Sequence, residues 1–273
     1  MKKVLFATTA LIATAGMAAA DGHSSVTVGG WGYAGIFDNG TDTDAVSGVR
    51  FTFKGSVETD NGISLTASAR MTTLDNAETP TALSRGKVTI ASQGLSVAVG
   101  ATNGAMRSLA RTATFYGFND GGTFAVDNSA GAITRVSDAG NNVYASYTTG
   151  GLTFGISSDV AGNTTEFGVK YAFDAWTVGL AANDDDDWML SVKYNSDTID
   201  VGLGFNSEDV SVLTLSYDVS PMLEISAAFG DYDGTSRAGL QVAYDLGGAS
   251  LIGAVGDVDG GASTASLGVV FSF

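Results

Sequence analysis

The sequence predicts an all-β chain, a transmembrane antiparallel β-barrel of about 16 strands, and three observations predict it. Apolar and polar residues alternate with a period of two over most of the chain, the mark of strands with two unlike faces. The connections between these runs alternate between tight turns and longer or more acidic loops. Charges inside the strands keep to the polar parity, and aromatic residues gather at strand ends.

Residues 1–20 stand apart from that pattern. Lys2 and Lys3 precede the apolar run Val4 to Ile12, and Ala18-Ala19-Ala20 supplies small residues for cleavage, so a signal peptide is expected at 1–20. The run is far shorter than the roughly 20 apolar residues of a spanning helix. Residues 21–273 then form a single barrel domain of an exported protein. Without Lys2 and Lys3 the 13 cations become 11 against 29 acids, a net charge of −18, which argues against nucleic acid as a partner. The chain has no Cys, which excludes a disulfide-stapled secreted domain. Its 37 glycines and 2 prolines, with abundant Thr, Ser, Val, Phe and Tyr, suit many strands joined by turns.

An N-terminal strand is expected near Ser25 to Phe37, with its facing unresolved. From Ser47 to Glu58, Val49, Phe51, Phe53 and Val57 share one parity, while Arg50, Thr52, Lys54, Ser56 and Glu58 share the other. After Thr59-Asp60-Asn61-Gly62 the pattern resumes with Ile63, Leu65, Ala67, Ala69 and Met71 opposed to Ser64, Thr66, Ser68, Arg70 and Thr72, which makes a hairpin. Apolar sets continue as Val88/Ile90, Leu95/Val97/Val99, Val143/Ala145/Tyr147, Leu152/Phe154/Ile156, Phe167/Val169/Tyr171/Phe173 and Trp176/Val178/Leu180. The last are Trp188/Leu190/Val192/Tyr194, Ile199/Val201/Leu203/Phe205, Leu213/Leu215/Tyr217, Leu223/Ile225/Phe229, Leu240/Val242/Tyr244, Leu251/Val255 and Leu267/Val269/Phe271/Phe273, for 16 strands in all. An even count brings both termini to one side of a membrane.

The connections Ser92-Gln93-Gly94, Thr149-Gly150-Gly151 and Asp174-Ala175 are tight, whereas Asp38 to Val46, Leu74 to Leu83 and Asp159 to Thr164 are longer. Short periplasmic turns and longer outer loops are the asymmetry of membrane barrels. The third outer loop, Thr102 to Gly140, has 39 residues and is the outlier, and loops that long commonly carry function.

Eight cations lie in strands, Arg50, Lys54, Arg70, Arg85, Lys87, Lys170, Lys193 and Arg237, all on the polar parity. The strand acids Glu58, Glu166, Asp200 and Glu224 share it. The third loop carries Arg107, Arg111 and Arg135 with Asp120, Asp127 and Asp138. A soluble sandwich would segregate charge in the same way. Three further features tilt the balance to a membrane, the first being the aromatics, with Phe173, Trp176, Tyr194, Tyr217, Tyr244 and Phe273 beside tight turns and Trp188, Phe205 and Phe229 beside outer loops, as two interfacial girdles. The polar parity is rich in Gly, Ala, Ser and Thr, which leaves a lumen open, and 16 strands make a ring too wide for side chains to fill.

Other features carry weaker alternatives. Gly30-Trp31-Gly32-Tyr33-Ala34-Gly35 fits a dinucleotide fingerprint by letter, yet no helix pattern follows, and glycines that let a strand curve are the better reading. The run Asp184 to Asp187 offers oxygens to Ca2+ or another divalent ion, which would bridge to lipopolysaccharide, although a solvated loop tip is the commoner use. No resident cofactor is expected. His23 is the lone histidine and stands three residues past the cleavage point, so acid–base enzyme chemistry is poorly supplied. The rival class is a secreted or surface-attached β-rich structural protein or adhesin without a pore.

The segment Gly48-Val49-Arg50-Phe51-Thr52-Phe53-Lys54-Gly55-Ser56, followed by Asn61-Gly62-Ile63-Ser64-Leu65, resembles the second and third strands of the trimeric general porins of Gram-negative bacteria, the alphaproteobacterial, Rhodobacter-like type above all. Tyr144 to Ile156 is similar to their strand pair after the third loop, and Phe271 with Phe273 resembles their C-terminal aromatic assembly signal. The resemblance implies a homotrimer in outer-membrane lipid that passes small hydrophilic solutes. It also implies that Thr102 to Gly140 folds into the lumen, with Arg50, Lys54, Arg70, Arg85 and Lys87 on the wall facing Asp120 and Asp127 of the loop. Phe118-Asn119-Asp120-Gly121-Gly122 stands where the family often carries Pro-Glu-Phe-Gly-Gly. The cationic wall favours anions, but the far larger acidic charge at the mouths gives an expectation of cation preference, screened over about 10 Å at 0.1 M salt.

Overall fold

A strand with one greasy and one wet face has to cover the first and pair both of its edges, and here a closed ring meets both demands. The computed structural model describes residues 24–74, 83–112, 114–118, 124–136 and 142–273. The expected signal peptide and His23 lie outside the described residues.

Five strands precede the long loop: β1 (Ser24–Asp38), β2 (Thr43–Glu58), β3 (Ser64–Leu74), β4 (Lys87–Ser92) and β5 (Leu95–Gly100). The loop holds a short helix, α1 (Ala105–Leu109), then β6 (Thr114–Tyr116) and β7 (Phe124–Val126), which pair with each other and not with the ring. Next come β8 (Asn142–Thr149), β9 (Leu152–Asp159), β10 (Thr165–Phe173), β11 (Trp176–Asn183) and β12 (Trp188–Asn195). The ring is completed by β13 (Ile199–Asn206), β14 (Val210–Ser220), β15 (Leu223–Tyr232), β16 (Thr235–Asp245), β17 (Ala249–Val258) and β18 (Thr264–Ser272).

Sixteen strands thus form one closed antiparallel barrel, with β5 paired to β8 across the long loop and β1 paired to β18 at the seam. At one end of the seam Gly30 N–H donates to the Phe273 carbonyl at 2.8 Å, and Phe273 N–H donates to the Gly30 carbonyl at 3.0 Å. Closure removes the unpaired edges that hydrocarbon would penalise by several kcal/mol per group. Among the described residues no helix is long and apolar enough to cross a membrane.

The parity read as apolar faces outward. Ile90, Phe154, Ile156, Phe167, Leu180, Leu240, Val255 and Leu267 are all exposed on the outer wall. Tyr171, Phe173, Trp176, Tyr217 and Tyr244 are exposed near the tight-turn end, and Trp188, Phe205 and Phe229 near the other. β1 resolves as well: Val26, Val28 and Ile36 point outward, while Tyr33 is 3% exposed and stacks on Trp31 with ring centroids 5.7 Å apart. In a sandwich the buried apolar residues would lie on the greasy parity. Here they lie on the lumen side, between the long loop and the wall.

Candidate pore constriction

The third loop is pulled into the barrel by residues too small to keep it out. A Cβ at Gly179 of β11 would stand 2.0 Å from the Leu109 carbonyl oxygen at the end of α1, and Gly155 and Gly168 on β9 and β10 make room for the Leu109 side chain. Phe124 sits in the space left by Gly239 and Gly256, and Phe118 in that left by Gly35 and Gly268. The small residues of the polar parity therefore do not all open the lumen, because many of them seat the loop. Gly35, read as a point of strand curvature, is one of these seats.

Apolar contacts follow the same track. Tyr116, Phe124 and Val126 pack on Val210, Val212, Ala228 and Ala254 of the wall. Phe118 joins Tyr33, Val46, Ala243 and Ile252, and Met106, Ala110 and Ile133 join Ala181 and Met189. Burying each large side chain contributes about 1.5–3 kcal/mol. These contacts run from β11 round the ring to β18, β1 and β2, and α1 continues the cover over β9 and β10.

Polar side chains of the wall stitch the loop backbone down. Glu166 of β10 accepts from the Met106 N–H at 3.0 Å, the Val136 N–H at 2.5 Å and the Ser157 hydroxyl at 2.9 Å, while Ser157 accepts from the Ala105 N–H at 2.8 Å. Asn128 of the loop donates to the carbonyls of Ala110, Leu190 and Phe205 and accepts from the Thr112 N–H at 2.8 Å. Asn206 donates back to the Asn128 and Ala130 carbonyls, at 3.2 and 2.7 Å. Asp187 accepts from the Thr134 N–H at 2.9 Å and from Asn183 at 2.9 Å, and Asp184 accepts from the Thr165 N–H at 2.9 Å. The run 184–187 is thus divided, with Asp187 buried as an anchor.

Sequence reasoning missed these anchors. Glu166 reads as one more strand acid, and the available signal was its position in a ring whose other acids crowd toward turns and loops. Asn128, Asn183 and Asn206 gave no signal, since Asn is common in loops.

The predicted charged residues fall into two groups. On the wall, Arg50 donates from Nε to the Thr72 hydroxyl at 3.0 Å, with its guanidinium 4.8 Å from the Trp31 ring centroid. Lys54, Ser68 and Lys87 lie in one cross-strand row through β2, β3 and β4, and Arg70 faces Thr52. Arg85 lies in the exposed segment entering β4. In the loop, Arg111 donates to Asp127 at 2.6 Å, and Asp127 also accepts from the Ser129 N–H at 2.7 Å. Burial pushes the Asp127 carboxyl up, but the Ser129 and Arg111 hydrogen bonds and the Arg111 charge outweigh it, and the group sits below the ordinary carboxylate value. Arg135 is half-buried in the field of Asp127, Arg107 and Arg111. Burial and its two arginine neighbours hold its guanidinium below the ordinary value against the pull of Asp127. Asp120 and Asp138 lie outside the described residues.

A closed 16-strand barrel with an outward apolar band, aromatic belts and a polar lumen crossed by one inward loop is a pore of the outer membrane. The chain belongs to the Gram-negative porin family, whose sequence profile matches residues 7–271. Among solved structures it is similar to a triple mutant of the porin of Rhodopseudomonas blastica, at 20% identity and a TM-score of 0.71. A double mutant of the same porin gives 21% and 0.72, and a quintuple mutant 19% and 0.72. In each case the match covers 91% of this chain and 100% of the other. Among curated protein sequences nothing matches this chain significantly.

Proposed function

We propose that the pore carries small hydrophilic solutes past a charged constriction made by the wall cations Arg50, Lys54, Arg70, Arg85 and Lys87 and the inner face of the third loop. The observation that carries this reading is the lopsided seating of the loop. Its packing follows the arc from β9 round to Val46 near the start of β2, so the arc at β3, β4 and β5, with Arg70, Arg85 and Lys87 and with Arg50 and Lys54 of β2 at its border, faces the water that is left. Charged groups across a narrow aqueous gap orient dipolar solutes and set ion preference. Apolar solutes are disfavoured because they displace ordered water.

The mature chain begins at Asp21 after export, works as a homotrimer and contacts lipopolysaccharide through its acidic outer loops. The family resemblance and the loop charges support these assignments. The decisive experiment is reconstitution. The purified protein should give stepwise conductance in planar bilayers and let sugars swell liposomes, and the pair Arg85→Glu and Lys87→Glu should move the zero-current potential in a salt gradient. A silent bilayer and sugar-tight liposomes would end the pore reading. An unmoved potential would remove Arg85 and Lys87 from the constriction.

A further inference from the structure

The total charge of the chain favours cations, but the lumen is not where that charge sits. The strand cations Arg50, Lys54, Arg70, Lys170 and Lys193 take the polar, lumen-facing parity, whereas most acids lie in turns and outer loops. Asp127 is paired within the loop and Glu166 is committed to its three donors. The loop therefore does not oppose the cationic wall with a bare acidic face among the described residues. It presents cations of its own.

Register shows what they meet. Leu109 of α1 rests on Gly179, Gly179 pairs with Lys170 of β10, and Lys193 of β12 pairs with Thr177 two residues along the same strand. Lys170 and Lys193 point inward, since their neighbours Val169, Tyr171, Val192 and Tyr194 hold the outward parity. Arg107 precedes Leu109 by two residues, and Arg135 shares the field of Arg107 and Arg111. All four of Arg107, Arg135, Lys170 and Lys193 are partly buried. Lys170 and Lys193 stand between four and eight strands round the ring from the cations of β2, β3 and β4. Nearby, Asp200 accepts from Asn195 at 2.9 Å and Glu224 from Ser226 at 2.7 Å, both toward the tight-turn end.

We infer that the pore selects small oxyanions, such as phosphate and carboxylates, and that Arg107, Arg135, Lys170 and Lys193 form a shelf on which they pause. Two cationic surfaces face each other across the passage, and an anion between them is attracted from both sides. Acids at the mouths are screened over about 10 Å at 0.1 M salt, whereas partly buried cations at close range are screened much less. The inference rests on the chain being a conducting pore and deepens that reading.

The test is the zero-current potential of the purified protein in planar bilayers under a KCl gradient, followed by addition of inorganic phosphate or succinate to one side. The potential should have the sign of chloride preference, and either oxyanion should lower the chloride conductance. Slowing by phosphate alone and slowing by succinate alone both support the shelf and tell the two chemistries apart. Two variants are measured in parallel, Lys170→Gln/Lys193→Gln in the wall and Arg107→Gln/Arg135→Gln in the loop. Each should lower the chloride-to-potassium permeability ratio roughly twofold or more and weaken the oxyanion effect. If the loop variant does not assemble, the wall variant decides. Stepwise conductance with a potassium-preferring potential, or with a chloride preference and oxyanion response untouched by the variants, overturns the inference and leaves the pore standing. A bilayer without conductance fails the pore reading instead.

Discussion

Arg111 and Asp127 form an ion pair at 2.6 Å between two segments of one loop, with both side chains about six-sevenths buried at 14% and 15% exposure. The pair ties the end of α1 to the residue after β7, so it acts on loop shape. The depressed Asp127 carboxyl contributes stability that is fully present above the unfolded value near 4 and is lost as pH falls through the lower folded value. The share of open-channel noise that this pair suppresses, read as the difference between Asp127→Asn and the parent, should accordingly stay constant from neutral pH to about 4 and shrink only below it. Asp127→Asn should raise the noise already at neutral pH. A difference between variant and parent that already shrinks near pH 6 would contradict the assignment.

Glu166 holds two loop N–H groups and the Ser157 hydroxyl at the foot of α1. Glu166→Ala leaves buried donors unmatched, at a cost of roughly 3 kcal/mol or more. Limited proteolysis should then cut within residues 101–141 while the folded barrel survives in detergent. Protection equal to that of the parent would show that other anchors suffice.

Gly179→Ala drives a methyl group into the Leu109 carbonyl, whereas Gly55→Ala meets nothing within 4 Å. The first should shift single-channel conductance by displacing α1, and the second should leave it unchanged. Equal behaviour of the two variants would remove the glycine seat from the account of the loop.

Phe124→Ala empties the pocket over Gly239 and Gly256 and strips the cluster of Tyr116, Val126, Val210 and Val212 of an aromatic ring. The loss should weaken loop docking by about 3–5 kcal/mol. Conductance should become larger and noisier at an unchanged unfolding temperature of the barrel. A barrel that melts earlier by many degrees would place Phe124 in ring stability rather than in loop docking.

The ring was legible in the sequence because strand faces depend on neighbours two residues apart. Leu152/Phe154/Ile156 and Leu240/Val242/Tyr244 declare their outward parity without any knowledge of the rest. β1 withheld its facing because Trp31 and Tyr33 point to the lumen while Val26, Val28 and Ile36 point to lipid, so apolar residues occupy both parities. The wall cations were legible for the same reason as the strands. The docking of the loop was not, since it joins Leu109 to Gly179 and Asn128 to Leu190 and Phe205 across 60 residues or more, and nothing local marks a glycine as a seat. Asp127 was legible as a loop acid, but its partner was assigned to the wall and is found 16 residues away, at Arg111.

The hydrogen-bonded pair at Gly30 and Phe273 carries a consequence for biogenesis. The first strand finds its second neighbour only in β18, so the circle locks only after residues 264–273 have been translated and exported. A message cut short upstream would yield a sheet with two open margins, unfit for the bilayer and exposed to periplasmic proteases.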